Sequence, residues 1–301
     1  MALTNNCVKF LFYAKQKGVS FQKTLMLGRL NLEATKESIK ENILYFKNNS
    51  KSFEEVVFKD DYSEPLFEIL GSQVSDSMDY SDYEKATIIH DLNSPVPADL
   101  KNKYTAIVDS GTIEHVFNFP QAIKNCMEML TVGGHYIGIT PVNNMMGHGF
   151  YQFSPELYFN IFSSENGFSV KHAIIYVQYP DGTAGDWYEV LNPKMVKSRI
   201  ILVNNYPTHL IVLAEKLTNT EIFSSVPQQS DYRTLWSIKQ SLKENKKPVN
   251  ESYLKFLYRK YMPKRIKIFM RNVYDLINKE KVVTEDLGKI DETHYKKFEF
   301  K

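Results

Sequence analysis

Three strand-like runs in the middle of the chain each end in an acid. Gln73–Met78 leads to Asp79, Ala86–His90 leads to Asp91, and Tyr104–Val108 leads to Asp109. If these runs are parallel strands, the three acids meet at the carboxyl edge of one sheet, where open α/β sheets hold their ligands. A carboxylate there can accept hydrogen bonds from hydroxyl groups. Asp also starts loops on its own account, so a single one carries little, and Asp91 is nearly as well explained as a turn or helix cap. Two histidines lie just beyond the strand ends. His115 sits in Ser110-Gly-Thr-Ile-Glu114-His115. His148 lies between two glycines in the loop from Asn143 to Gln152. An imidazole titrates near neutrality and can serve as a proton acceptor. For His115 the rival role is a hydrogen bond that fixes the turn. Asn143, Tyr151 and Gln152 offer further hydrogen bonds to a substrate.

Some chemistries are excluded by pattern. His90-Asp91 and Glu114-His115 are adjacent pairs, but no His-x-x-x-His or related helical ligand spacing occurs, so no metal site is expected. There is no Gly-x-Ser-x-Gly elbow for a serine hydrolase. There is no Gly-x-Gly-x-x-Gly after the first strand for a nicotinamide cofactor.

The elements that must position these residues follow from periodicity. A helix is expected over 4–17, stopped by Gly18. Lys23-Thr-Leu-Met-Leu is a buried strand that enters a tight turn at Gly28-Arg29. Helices follow over 33–47 and 63–71, the second with Ser63 as N-cap and Pro65 in its first turn. After the Asp-ended strands, a helix is expected over 120–130, then a strand over 135–140, a loop over 142–153 and a helix over 155–162. Two more strands are expected over 170–179 and 209–214. The polar segment 180–193 between them has the composition of a loop. Alternating strand and helix signals give an α/β class.

The chain has 301 residues, 43% hydrophobic and 24% charged, with a net charge of +2, enough for one large α/β domain with an appendage. Such a small net charge does not by itself imply a nucleic acid partner. Cys7 and Cys126 form no disulfide framework, which suits a reducing compartment. The first residues lack the order of a signal peptide, and no apolar run approaches the ~20 residues of a membrane span. A cytoplasmic location is expected. Residues 251–281 carry nine Lys or Arg among aromatic and aliphatic residues, split by Pro263. They read as basic helical pieces docked on the domain, with at most a weak, salt-sensitive attraction to anionic membranes.

The segment YTAIVDSGTIEHVFNFPQAIKNCMEMLTVGGHYIGITP, residues 104–141, resembles class I S-adenosylmethionine-dependent methyltransferases. The shared pattern is an Asp-ended strand, a Glu-His-Val turn, a helix, Leu130-x-x-Gly133-Gly134 and the next strand. The resemblance covers roughly residues 20–217. It implies a Rossmann-like, seven-stranded, mostly parallel sheet with its last strand antiparallel and helices on both faces. Residues 1–217 would form this domain and 218–301 a linker with the basic helical C-terminal extension. It also implies S-adenosylmethionine as cofactor, with Asp79 on the ribose hydroxyls, Asp91 and Leu92 at the adenine, and Asp109 and Ser110 under the reacting methyl group. The first loop departs from the family pattern: the acid is missing and one glycine, Gly28, remains, with Arg29 beside it as either a charged partner for the cofactor's carboxylate or a solvated loop residue. The segment from Gly147 to Pro155 is similar to methyltransferases of bacterial surface-glycan pathways. A small-molecule or glycan acceptor, methylated on oxygen with His148 and His115 as the catalytic pair, is therefore expected. A fold that has kept its shape and lost its cofactor is the rival, and function concentrated in the basic tail a third possibility.

Overall fold

The computed structural model describes residues 2–48, 50–196, 200–230, 232–233, 282–284, 288–290 and 293–301. Two short strands, β1 (Ala2–Leu3) and β3 (Asn31–Leu32), pair parallel with each other. The centre of the fold is a nine-stranded mixed sheet. Four strands run parallel on one side: β2 (Lys23–Leu27), β4 (Val74–Asp79), β5 (Ile88–Ile89) and β6 (Tyr104–Ser110). They are followed across the sheet by β7 (Leu130–Asn143), β10 (Thr208–Lys216), β8 (Phe168–Gln178), β9 (Ala184–Val190) and β13 (Tyr295–Lys297). The order is β5-β4-β2-β6-β7-β10-β8-β9-β13. β7 continues the parallel block beside β6, and β10 lies antiparallel between β7 and β8. The expected parallel block with an antiparallel strand after it is therefore present, and β9 and β13 extend the sheet by further antiparallel pairs. Chain order reverses at β2, and the crevice beside its carboxyl end is the topological switch point.

The sheet sorts its side chains by the two-residue period of a strand. In β2, Leu25 and Leu27 join one buried cluster and Met26 the other; in β10, Leu210 and Val212 alternate with Ile211 and Leu213 in the same way. Helices α4 (Phe119–Met129) and α5 (Pro155–Ile161) cover the first face, through Ile123, Cys126, Met127 and Tyr158. Helices α1 (Asn5–Gln16), α2 (Lys36–Tyr45) and α3 (Glu64–Ile69) cover the second, through Phe10, Leu11, Ile39 and Phe67. Gly18, at φ 96°, ends α1 where a side chain would be strained.

One expectation is corrected. The polar segment 180–193 is not all loop, because residues 184–190 form β9. Trp187, Tyr188 and Val190 are buried, and Trp187 stacks on Tyr176 at 4.6 Å. Gly185 and Asp186 resemble a turn in sequence, yet tertiary burial of the neighbouring aromatics decides the conformation. The chain's last residues return to this edge: β13 pairs antiparallel with β9, and Phe298 packs among Tyr13, His172 and Phe300. Residues 293–301 thus join the sheet domain. A small hairpin of β11 (Val282–Thr284) and β12 (Gly288–Ile290) stands apart from the main sheet. The basic segment 251–281 lies outside the described residues. Among those described, no helix is long and apolar enough to cross a membrane.

Candidate active site

Two cavities open at the carboxyl ends of the strands and share His115. The first, about 390 Å³, is lined by Asp79 and Tyr80 after β4, by His90, Asp91, Leu92 and Asn93 after β5, and by Thr112, His115 and Val116 after β6. Its outer wall is a loop fixed by the buried Asn125 of α4. The Asn125 amide donates to the carbonyls of Leu92 and Ser94, and its oxygen accepts the Val96 N–H. Asn118 donates two further bonds to Asn93, from its backbone N–H to the side-chain oxygen and from its side-chain amide to the carbonyl. Asp91 folds the same loop by accepting from the backbone and side-chain N–H groups of Asn93, which hold its carboxyl below the usual range. Asp79 accepts the Ser81 N–H through Oδ1, at 3.2 Å. Its position at the end of β4 leaves the carboxylate on the cavity wall.

The second cavity, about 230 Å³, is lined by Thr4, Cys7, Ser110, Gly111, Glu114, His115, His148, Tyr176, Gln178 and His209, among others. A single turn of 3-10 helix, Ile113–His115, brings Glu114 and His115 to it. That turn hangs on Asp109, which accepts the N–H groups of Thr112 (3.0 Å) and Ile113 (3.4 Å) and the Tyr136 hydroxyl (2.9 Å). The His148 loop is laid onto the same turn. The Glu114 carbonyl accepts from both Phe150 and Tyr151 N–H, and Gln152 accepts from Met145 N–H to close the loop. Gly149 has to be small: a Cβ there would lie 3.0 Å from the Glu114 carbonyl oxygen and 3.2 Å from His115 Nδ1. The result puts the His115 and His148 rings 5.3 Å apart and His148 Nε2 at 3.3 Å from Glu114 Oε1.

The electrostatics are set by burial. Glu114 is 0% exposed and neither carboxylate oxygen has a hydrogen-bond partner. Desolvation, and then the nearby Asp109, push its carboxyl upward. Desolvation also raises Asp109 despite its three donors. Burial, with His148 nearby, lowers His115. His209 is lowered to about 4 by burial and by His148; its Nε2 meets Gln178 Oε1 at 2.6 Å, and its ring stacks on Tyr176.

The structure therefore brings Asp79, Asp91 and Leu92 together in one cavity and Ser110 and His148 in the other, with His115 between. Asp109 is elsewhere: fully buried, its oxygens are turned to the 112–113 backbone and Tyr136, and it lines neither cavity. Gly28, at φ 71°, gives its N–H to the Met78 carbonyl at 2.7 Å. Arg29 is held by Glu64 (2.7 Å), Asp60 (3.2 Å) and the Glu84 carbonyl, and stacks on Tyr62. Every guanidinium nitrogen is engaged, so Arg29 is no free cation for a cofactor carboxylate at the first loop. Ser110 donates to the Ala2 carbonyl, which ties the N-terminal segment across the end of β6. The Tyr151 hydroxyl is bound to the Phe117 carbonyl. Asn143 bonds Asn204, and with Gln152 it lines a third, larger cavity of about 550 Å³ toward α5 and the end of β8. Glu114, Tyr80, Thr112 and His209 are the site residues that sequence reasoning missed. Glu114 carried one signal, its place beside His115.

This strand order, with its crevice at the switch point, is that of an open Rossmann-like α/β sheet. No protein-family model and no curated protein matches the chain. Among solved structures, similarity is found to the branched-chain polyamine synthase of Thermus thermophilus in complex with N4-aminopropylspermidine and 5'-methylthioadenosine. It is 10% identical, with a TM-score of 0.37, over 74% of this chain and 58% of that one. A SAM-dependent methyltransferase of Thermotoga maritima is 12% identical, with a TM-score of 0.38, over 70% and 91%. Trans-methyltransferase CalH in complex with SAH is 10% identical, with a TM-score of 0.36, over 70% and 57%. The chain thus spans a little over half the length of the synthase it matches.

Proposed function

We infer that the protein is an S-adenosylmethionine-dependent methyltransferase acting on a hydroxyl oxygen. The observation that carries this reading is the pair of cavities that both have His115 in their walls, one with a carboxylate at the end of β4 and the other with imidazoles and a buried carboxylate. The residues of the first cavity suit a nucleoside: Asp79 can accept from both ribose hydroxyls, and Leu92 offers an apolar wall to a base. Bound there, S-adenosylmethionine supplies an electrophilic methyl group, whose transfer to a hydroxyl leaves S-adenosylhomocysteine and a proton. The second cavity handles the acceptor: Glu114, His115 and His148 surround the position where its hydroxyl loses that proton, and the fixed loops hold it in line. Phe117 and Phe150, exposed and edge-to-face at 6.1 Å, flank the His148 loop. Such rings can pack on the C–H faces of a sugar, which supports a surface-glycan acceptor or its phosphate-type decoration.

A second reading has its own observation. The Gly28 amide and the Arg29 guanidinium are both engaged within the protein, so the first loop offers the amino-acid half of the cofactor little. A binding protein that no longer uses the cofactor would look the same there. Calorimetry with S-adenosylhomocysteine separates the two. The enzyme reading expects saturable binding, weakened about 10-fold or more in Asp79→Ala, since hydrogen bonds to a charged group are worth about 1.5–3 kcal/mol. No binding by the parent protein would sink it.

A further inference from the structure

We propose that Glu114, His115 and His148 form a site for a divalent first-row transition metal, with its open positions facing the acceptor cavity. One ligand atom from each lies within 4.8 Å of the other two. In a tetrahedral site with bonds of about 2.0–2.2 Å, donors stand about 3.3–3.6 Å apart. His148 Nε2 and Glu114 Oε1 are already at 3.3 Å, in a geometry that forms no hydrogen bond. Both imidazoles are exposed, so rotation of the His115 side chain and a small movement of His148, which lies between Gly147 and Gly149, close the remaining pairs around an ion.

The buried carboxylate is the independent sign of a missing cation. Glu114 is 0% exposed, lines the cavity, and has two oxygens without a hydrogen-bond partner. Buried polar groups are almost always paired, and a buried carboxylate is paired with a cation or bound to a metal. Among the described residues, no Lys or Arg lines this cavity. Glu64, whose Oε2 is also unpartnered, differs in that its other oxygen is bound to Arg29. Two imidazoles with one carboxylate form a set that suits zinc, iron or their neighbours and leaves coordination positions open. The set is built by tertiary structure, since the Glu114 carbonyl itself anchors the loop that carries His148.

The use of such a site rests on the proposed function, because an acceptor hydroxyl bound at an open position would give its proton to solvent more readily. The site itself does not depend on that reading. The full-length protein, stripped with a chelator, is titrated with Zn2+ by calorimetry and with Co2+ by visible absorption. One equivalent is expected to bind at micromolar concentration or below, with Co2+ giving the bands of a low-coordinate site. His148→Ala, on an exposed loop, should weaken Zn2+ at least 10-fold, and Glu114→Gln should do the same. His172→Ala, which removes the separate His172–Glu189 pair at 3.0 Å, should not. Absence of stoichiometric binding, or Zn2+ binding indifferent to His148→Ala, overturns the proposal. Binding of S-adenosylhomocysteine is measured apart, so failure of the metal site and failure of the methyltransferase reading are distinguishable.

Discussion

Replacing Asp109 by Ala removes the acceptor of three hydrogen bonds at once, two of them buried. Thr112 N–H at 3.0 Å and the Tyr136 hydroxyl at 2.9 Å lose full partners, and Ile113 N–H at 3.4 Å loses a weaker one. At about 1 kcal/mol or more for each orphaned donor, the loss is about 3 kcal/mol. Removal of a buried carboxylate, whose pKa is pushed up by desolvation, offsets part of this. Asp109→Asn keeps an oxygen for the two backbone donors and turns its amide to Tyr136, whose hydroxyl can accept; it should stay within about 1 kcal/mol of the parent. Urea unfolding measures both variants through the shift in midpoint at constant slope. Because Asp109 lines neither cavity and Asn keeps the oxygen that accepts from Thr112 and Ile113, Asp109→Asn should also leave affinity for S-adenosylhomocysteine within about twofold. An Asp109→Ala protein as stable as the parent would refute the scaffold role. So would an Asp109→Asn protein that folds normally and has lost nucleoside affinity.

Gly149→Ala should cost about 1 kcal/mol, because its Cβ meets the Glu114 carbonyl at 3.0 Å, while Gly147→Ala, with nothing within 4 Å, should be neutral or slightly stabilising; thermal melts compare them. His209, neutral in the fold to about pH 4, takes a proton more readily when unfolded, at about 6.5. Stability from this residue is therefore complete above pH 6.5 and is lost as pH falls toward 4. Relative to His209→Gln, the parent should lose about 2–3 kcal/mol more between pH 7 and pH 4, read from urea midpoints. Phe298→Ala removes a ring packed on Tyr13, His172 and Phe300 and should cost about 3 kcal/mol, and an unchanged melting temperature would show that the C-terminal edge strand contributes nothing.

Part of the sheet was readable because β2 and β6 are short apolar runs that reach Gly28 and Asp109, and β2 falls on the very residues expected, Lys23–Leu27. Asp79, Asp91 and Leu92 could be placed in one crevice for the same reason: a strand end fixes where its next residue goes. The fate of Arg29 was not readable, since its partners Asp60 and Glu64 lie more than thirty residues away and approach only when the loop before α3 packs on the first turn. Asp109 shows the same limit. Its sequence position is that of a ligand-facing acid, yet Tyr136 on the adjacent β7 strand reaches it with a hydroxyl and takes it below the crevice floor. Helical spacing rules could not find the Glu114–His148 cluster, because two loops form it and backbone hydrogen bonds set their distance. β9 was hidden by Gly185 and Asp186, and only the pairing with β8 and β13 makes that segment a strand.

The crevice beside β4 and β5 is proposed to receive a nucleoside. A crystal structure of the full-length protein soaked with S-adenosylhomocysteine tests it most directly. The account predicts the ribose within hydrogen-bond reach of Asp79, the base against Leu92 and the sulfur directed toward the cavity of Glu114, His115 and His148. Density for the ligand in the larger cavity by Glu156 and Tyr295, with the Asp79 crevice bare, would contradict it.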